Sequence, residues 1–284
     1  MYTRHFSVIL LSFSFLVAAG QEKYLTMKDG VKIYVEDVGT GQTLIFIPGW
    51  TMTHRFFEKQ KANFSKEYRV VTFDPRGQGR SGKKDYSDNY ATHAKDLRQI
   101  IEILDLEEVV FVGWSSGCLT LFEYIRNYDF DRIQKLVFID EPPKWIGDVE
   151  KEWVYGDFDG YRSSLKELIS SPPDPNGIID WMLADPVDSL TRSWMTREIL
   201  MTSAEVALSL YTDGIISNYQ DEVSQIRAET PTLFMVRSSW LNQARSWLNT
   251  YAPSTQVVGI SSHAMFWERP DQFNALLQSF LTQK

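Results

Sequence analysis

Short apolar runs bounded by turn residues recur at residues 44–47, 70–73, 109–112, 136–139, 233–236 and 256–259, with helix-period segments between most of them. Runs that are apolar on both faces predict strands covered on both sides, and their alternation with helices predicts an α/β fold: a mostly parallel, twisted sheet with helices on both faces. DLRQIIEILDL at residues 96–106 is one such helix, with Leu97, Ile100, Ile101 and Leu104 on one face. Ahead of the first run, YLTMKDGVKIYVEDVG predicts a hairpin, because alternating strands flank a KDG turn in which Gly30 can take positive φ. The alternation stops once, over residues 144–220, where Trp, Tyr and Met are frequent, SSPPDPNG reads as a loop and SAEVALSLY as a helix. No strand pattern occurs there. We expect an inserted helical cap over the C-terminal edge of the sheet, with residues 21–143 and 221–284 forming the core.

Composition narrows the function classes. At 284 residues and 43% hydrophobic content, the chain can bury the core of one large domain with an insert. The net charge of −8 comes without basic runs, which argues against nucleic acid or an anionic membrane as partner. At the start, MYTRH precedes the apolar FSVILLSFSFLVAAG, which ends in small residues and is followed by polar QEK. That layout predicts a signal peptide over residues 1–20, a secreted or periplasmic protein, and no membrane span once the leader is removed. Cys118 is the single cysteine, so no internal disulfide can form.

The candidate chemistry begins at the third of these runs. VVFV leads directly into GWSSG and then CLTLFEYIRN, a strand, a tight turn and a helix pattern. In that context Gly-x-Ser-x-Gly is a nucleophile elbow: the strained turn lifts Ser115 clear of the sheet, and glycines at 113 and 117 avoid clashes. A serine hydroxyl needs a base within hydrogen-bond reach, and the base needs an acid that fixes its tautomer. His263 lies in a loop after the last predicted strand, where the C-terminal edge of the sheet should face Ser115. His5 falls in the leader, His93 in a helix, and His54 beside FIPGW, where it is expected to line the pocket.

With three further segments the chain resembles the α/β-hydrolase superfamily from about Tyr24 to the C-terminus. FIPGW resembles the family's oxyanion loop, with Pro48 in place of the usual His; FDPRGQGRSG resembles its structural turn; SSHAMFWERPDQF resembles its catalytic-histidine segment. GQGRSG also fits a dinucleotide fingerprint, but it opens a polar loop rather than a helix, so Asp74 and Arg76 read as structural. The resemblance implies that the backbone N–H groups of Trp50 and Ser116 form the oxyanion hole. In most members the acid follows the penultimate strand in a segment like Gly-x-x-Asp. Here Arg237 and Trp240 stand at those places, and no Asp or Glu occurs between Glu229 and Glu268. Some relatives, among them a subset of the haloalkane dehalogenases, carry the acid one strand earlier, where this chain has IDEPP. Successive side chains point to opposite faces, so only one of its two acids should meet the imidazole. Asp140 directly ends the apolar run and is the expected acid; Glu141 is the fallback.

The resemblance therefore implies a serine hydrolase that cleaves a small or medium apolar carboxylic ester through an acyl-enzyme, with no cofactor and no metal. Trp145, Trp181 and Trp194 of the expected cap are candidate pocket residues. A Ser nucleophile, where the dehalogenases use Asp, argues against halide cleavage. Two alternatives on the same triad are a cofactor-free haloperoxidase or perhydrolase and a C–C bond hydrolase. A non-catalytic ligand-binding protein is a third, suggested by the empty acid position after the penultimate strand.

Overall fold

The computed structural model describes residues 21–84 and 88–283; the expected leader lies outside them. Eight strands form one sheet: β1 (Gln21–Thr26), β2 (Lys32–Val38), β3 (Thr43–Ile47), β4 (Arg69–Phe73), β5 (Val109–Trp114), β6 (Ile133–Ile139), β7 (Thr232–Val236) and β8 (Gln256–Gly259). Their order is β1-β2-β4-β3-β5-β6-β7-β8. The β1–β2 hairpin pairs Tyr24 with Tyr34, Gly30 in its turn has φ 88°, and β2 runs antiparallel to β4. From β4 to β8 every pairing is parallel. Each of the six apolar runs lies within one of β3 to β8, and β3, β5 and β7 are buried at every residue. β8 is only half-buried because it closes the edge.

The helices are α1 (Glu58–Phe64), α2 (Tyr90–Ile103), α3 (Gly117–Tyr128), α4 (Phe158–Ser170), α5 (Pro175–Met182), α6 (Ser189–Ile199), α7 (Ala204–Ile216), α8 (Gln220–Ser224), α9 (Leu241–Tyr251), α10 (Met265–Glu268) and α11 (Pro270–Leu281). Leu97 and Ile100 of α2, Leu121 and Phe122 of α3, and Trp247 of α9 pack on one face of the sheet. Phe64 of α1, Phe266 of α10 and Leu277 of α11 pack on the other. Both faces are thereby covered, as the doubly apolar strands require.

α4 to α8 lie between β6 and β7, and the backbone pairing described there is limited to two isolated bridges, Lys144 to Asn218 and Ile146 to Gly156. Part of SSPPDPNG is helical rather than loop, since α5 starts at Pro175. Asp174 accepts from the amides of Asn176 and Gly177, and proline is favoured in the first turn, where its missing N–H goes unused. α2 stops at Ile103, short of the predicted end, because Asp105 takes φ 49°. Among the described residues no single helix is long and apolar enough to cross a membrane.

Candidate active site

Ser115 is the first residue beyond β5, with φ 53°, left-handed backbone that costs a non-glycine residue about 1–2 kcal/mol. The surroundings hold it there. Its amide donates to the Ile139 carbonyl (2.8 Å), tying the turn to β6. A Cβ on Gly117 would stand 2.4 Å from the Ile47 carbonyl oxygen, so only glycine lets α3 start this close to β3. Gly49 likewise passes against Ser115: a Cβ there would stand 2.9 Å from the Ser115 Cβ. The Trp50 amide follows at that point of the loop, and Ser116 caps α3, where the first amides of a helix lack partners within the helix. The GQGRSG turn fastens this loop, since the Gln78 amide donates to the carbonyls of Gly49 (3.1 Å) and Met52 (2.9 Å). Asp74 accepts from the amides of His54 and Arg80 (2.7 Å each), and Arg76 pairs with Asp96 through two hydrogen bonds of 2.7 Å.

His263 and Asp140 meet as expected from their positions: His263 Nδ1 lies 2.7 Å from Asp140 Oδ2. Asp140 is fully buried and is the first residue beyond β6. Arg237, the first residue beyond β7, also serves this carboxylate. Its backbone N–H donates to Oδ1 (2.6 Å), its Nε to Oδ2 (2.7 Å), and a terminal nitrogen pairs with Oδ2 at 2.7 Å. That same terminal nitrogen lies 3.0 Å from His263 Nδ1. A guanidinium only donates and an ionised carboxylate only accepts, so the shorter contact decides the tautomer. Nδ1 carries the hydrogen and donates to Asp140, which leaves Nε2 as a free base.

Electrostatics agree with that assignment. Burial alone would raise the Asp140 carboxyl, but the His263 hydrogen bond and the Arg237 charge overcome it and hold the group below its ordinary value. Burial pushes His263 below the ordinary histidine value; Asp140 opposes this and Arg237 reinforces it. Glu141 is separate from the pair. It accepts from Trp145 Nε1 (2.5 Å) and the Tyr155 hydroxyl (2.6 Å), and burial pushes it up to about 8. Of the two acids, Asp140 contacts the imidazole and Glu141 holds Trp145 and Tyr155, which line the same cavity as Ser115 and His263.

Two anchors fix the histidine loop. Trp114 Nε1 donates to the His263 carbonyl (2.9 Å). Glu268 accepts from Ser261 Oγ (2.9 Å), Ser262 Oγ and the amides of Ala184 (2.6 Å) and Asp185 (2.8 Å), joining the loop to the end of α5.

Ser115 and His263 line one cavity of about 770 Å³, together with Trp50, Trp145, Tyr161 and Trp181. Trp181 is half-exposed, yet its ring centroid lies 4.3 Å from that of His263. Among the described lining residues Glu167 and Asp174 are the acids, and none is Lys or Arg.

Two sequence expectations land elsewhere. His54 does not line the cavity: it is buried behind the FIPGW loop, with Nδ1 2.7 Å from Asp74 and Nε2 3.1 Å from Glu36. Both ring nitrogens face carboxylates, so both carry hydrogens; burial opposes the charge, but the two acids overcome it and raise the group. Trp194 also stays outside the lining, stacked on Trp267 at 4.8 Å and beneath Arg55. Conversely, sequence reading missed Arg237 as the partner of Asp140, and Tyr155, Tyr161 and Tyr211 as lining residues. The signal for Arg237 was its departure from the Gly-x-x-Asp pattern; that it ends the strand beside β6, where a buried acid needs a cation, is a fact of the sheet. Among the described residues no three His, Cys, Asp or Glu side chains converge on a point that could hold a metal ion.

Residues 42–167 match the family described as alpha/beta hydrolase fold. A putative non-heme chloroperoxidase of Synechocystis sp. is 27% identical over 279 residues, spanning 93% of this chain and 99% of that protein. A non-heme chloroperoxidase of Burkholderia pyrrocinia is 30% identical over 152 residues, 51% of this chain and 55% of that protein. Among solved structures, an esterase from Exiguobacterium antarcticum superposes with TM-score 0.84 at 23% identity, over 93% of this chain and all of that one. A bromoperoxidase from Bacillus anthracis superposes with TM-score 0.81 at 25% identity, over the same shares.

Proposed function

The chain belongs to the α/β-hydrolase superfamily and is an enzyme of the hydrolase type, and on that premise we propose that it is a serine hydrolase acting on small or medium apolar carboxylic esters. One observation carries the reading: Ser115, on a strained elbow, shares a cavity with a histidine whose far nitrogen is bonded to a buried aspartate. In the proposed reaction His263 Nε2 takes the Ser115 proton as Oγ attacks the ester carbonyl carbon. The tetrahedral oxyanion is stabilised by the amides of Trp50 and Ser116, each worth roughly 3 kcal/mol. The protonated imidazole then gives its proton to the departing alkoxide, leaving an acyl-Ser115 that water hydrolyses by the same steps. The aromatic lining suits an apolar acyl or aryl group. Export through the leader is part of the proposal.

The names of the relatives favour a second reading, in which hydrogen peroxide in place of water takes the acyl group and yields a peracid. The third, a scaffold without catalysis, loses its ground with Asp140 bonded to His263, since it rested on the lack of an acid after the penultimate strand. The test is covalent labelling with a fluorophosphonate. Wild type is expected to label and to turn over short p-nitrophenyl esters, and Ser115→Ala to do neither. An unlabelled, inactive wild type contradicts the reading.

A further inference from the structure

Resting on the reading of Ser115 and His263 as nucleophile and base, we propose that Arg237 is a positioning residue that fixes Asp140 and keeps His263 free of its second proton in acidic solution. The place after β7 that lacks an acid is thus not vacant: it holds the cation that clamps the acid of the neighbouring strand.

The geometry is specific to that role. Asp140 has no exposed surface, and an ionised carboxylate without compensation is among the costliest groups to bury. Its oxygens accept from His263, from the Arg237 backbone N–H and from two guanidinium nitrogens, four donors in all. Both guanidinium nitrogens converge on Oδ2 while the Arg237 backbone N–H holds Oδ1, and gripping the two oxygens from one residue leaves the carboxylate one orientation, with Oδ2 at the imidazole. Arg237 is itself immobilised, with its guanidinium carbon 4.1 Å from the Trp240 ring centroid, 5.0 Å from Trp181 and 5.8 Å from Tyr155. These rings keep water off the ion pair, so its charge is weakly screened.

The consequence for the base follows from charge. In a Ser-His-Asp arrangement the aspartate's negative charge stabilises the imidazolium. Here that charge is shared with a cation 3.0 Å from the same imidazole nitrogen. The other groups around the ring do not restore it. Trp114 and Trp181, which pack on His263, are uncharged. Glu141 faces Trp145 and Tyr155, and Glu268 is engaged by Ser261, Ser262 and α5. Arg237 therefore trades some stabilisation of the imidazolium for a base that stays unprotonated at lower pH.

The test is an NMR titration of the His263 ring in the full chain, with the signal identified by its loss in His263→Gln. Wild-type His263 is expected to titrate below about 6.5, the ordinary histidine value. Arg237→Gln is expected to move it upward by at least about one pH unit, within the 1–3 units a neighbouring charge exerts. Arg237→Lys keeps the charge and should titrate near wild type, while its kcat falls because the two-pronged clamp is gone. Wild-type His263 titrating at or above 6.5 overturns the proposal, and that measurement decides even where Arg237→Gln does not fold. Arg237→Gln titrating like wild type, or Arg237→Lys like Arg237→Gln, overturns it too. Ester turnover is scored separately. A wild type that titrates as stated but cleaves no ester fails the substrate reading alone.

Discussion

Three imidazoles buried among the described residues have their protonation set by different neighbours. His54 is held charged between Asp74 and Glu36, and His263 is held neutral with its Nδ1 hydrogen on Asp140. His93 is fully enclosed, with Nε2 bonded to the Arg76 carbonyl (3.1 Å), and burial lowers it from 6.5 to about 4. The folded state binds the His93 proton more weakly than the unfolded chain does. Its contribution to stability is therefore complete above about 6.5 and is lost as pH falls toward 4, about 3 kcal/mol in all. His54 has the opposite sign: its contribution is complete below about 6.5 and is lost as pH rises through its raised folded value. Chemical denaturation at pH 7 and pH 4.5 is expected to show wild type losing roughly 2–3 kcal/mol more stability toward acid than His93→Gln does, the part of the pH dependence that belongs to His93. Equal slopes in the two proteins would contradict this account of His93.

At the scale of elements, the strands were legible and the side-chain directions between them were not. Six apolar runs became β3 to β8 because strands covered on both faces carry an unbroken signal. Proximity in sequence misled at His54: it follows FIPGW closely, but Asp74 turns it away from the cavity. Trp194 misled because a tryptophan in a helical segment packs as readily on a neighbouring ring as on a ligand. The elbow itself was legible, since a strand, GWSSG and a helix permit few backbone paths. Its dependence on glycine can be measured. Gly117→Ala drives a methyl onto the Ile47 carbonyl, at a cost expected near the upper end of the 1–3 kcal/mol of overpacked sites. A lower melting temperature together with slower fluorophosphonate labelling is expected; a Tm equal to wild type would show that β3 and α3 are not in contact as described.

For the whole molecule, the site is a consequence of sheet order. β5, β6, β7 and β8 are neighbours in that sequence and run parallel, so their C-terminal ends lie side by side. Ser115, Asp140 and Arg237 are each the first residue past their strand, and His263 follows β8 by four residues. The C-terminal edge of a parallel sheet is where open α/β folds gather their ligands. Ser115 and His263 could be placed there from the sequence because each follows a recognisable strand. Asp140 could be singled out only through the gap at Arg237, and Arg237 itself was visible only as a departure from a pattern, because the pairing of β6 with β7 is a tertiary fact. That β6 supplies the acid of a Ser-His-Asp triad is tested by kcat on a p-nitrophenyl ester for Asp140→Asn beside Glu141→Gln. Asp140→Asn is expected to lose roughly 10³- to 10⁴-fold, the scale seen when a triad acid is replaced. Glu141→Gln should stay within about tenfold of wild type near neutral pH, because Glu141 is largely protonated there and glutamine has nearly its shape. An Asp140→Asn enzyme with the wild-type rate, or the large loss appearing in Glu141→Gln instead, would contradict Asp140 as that acid.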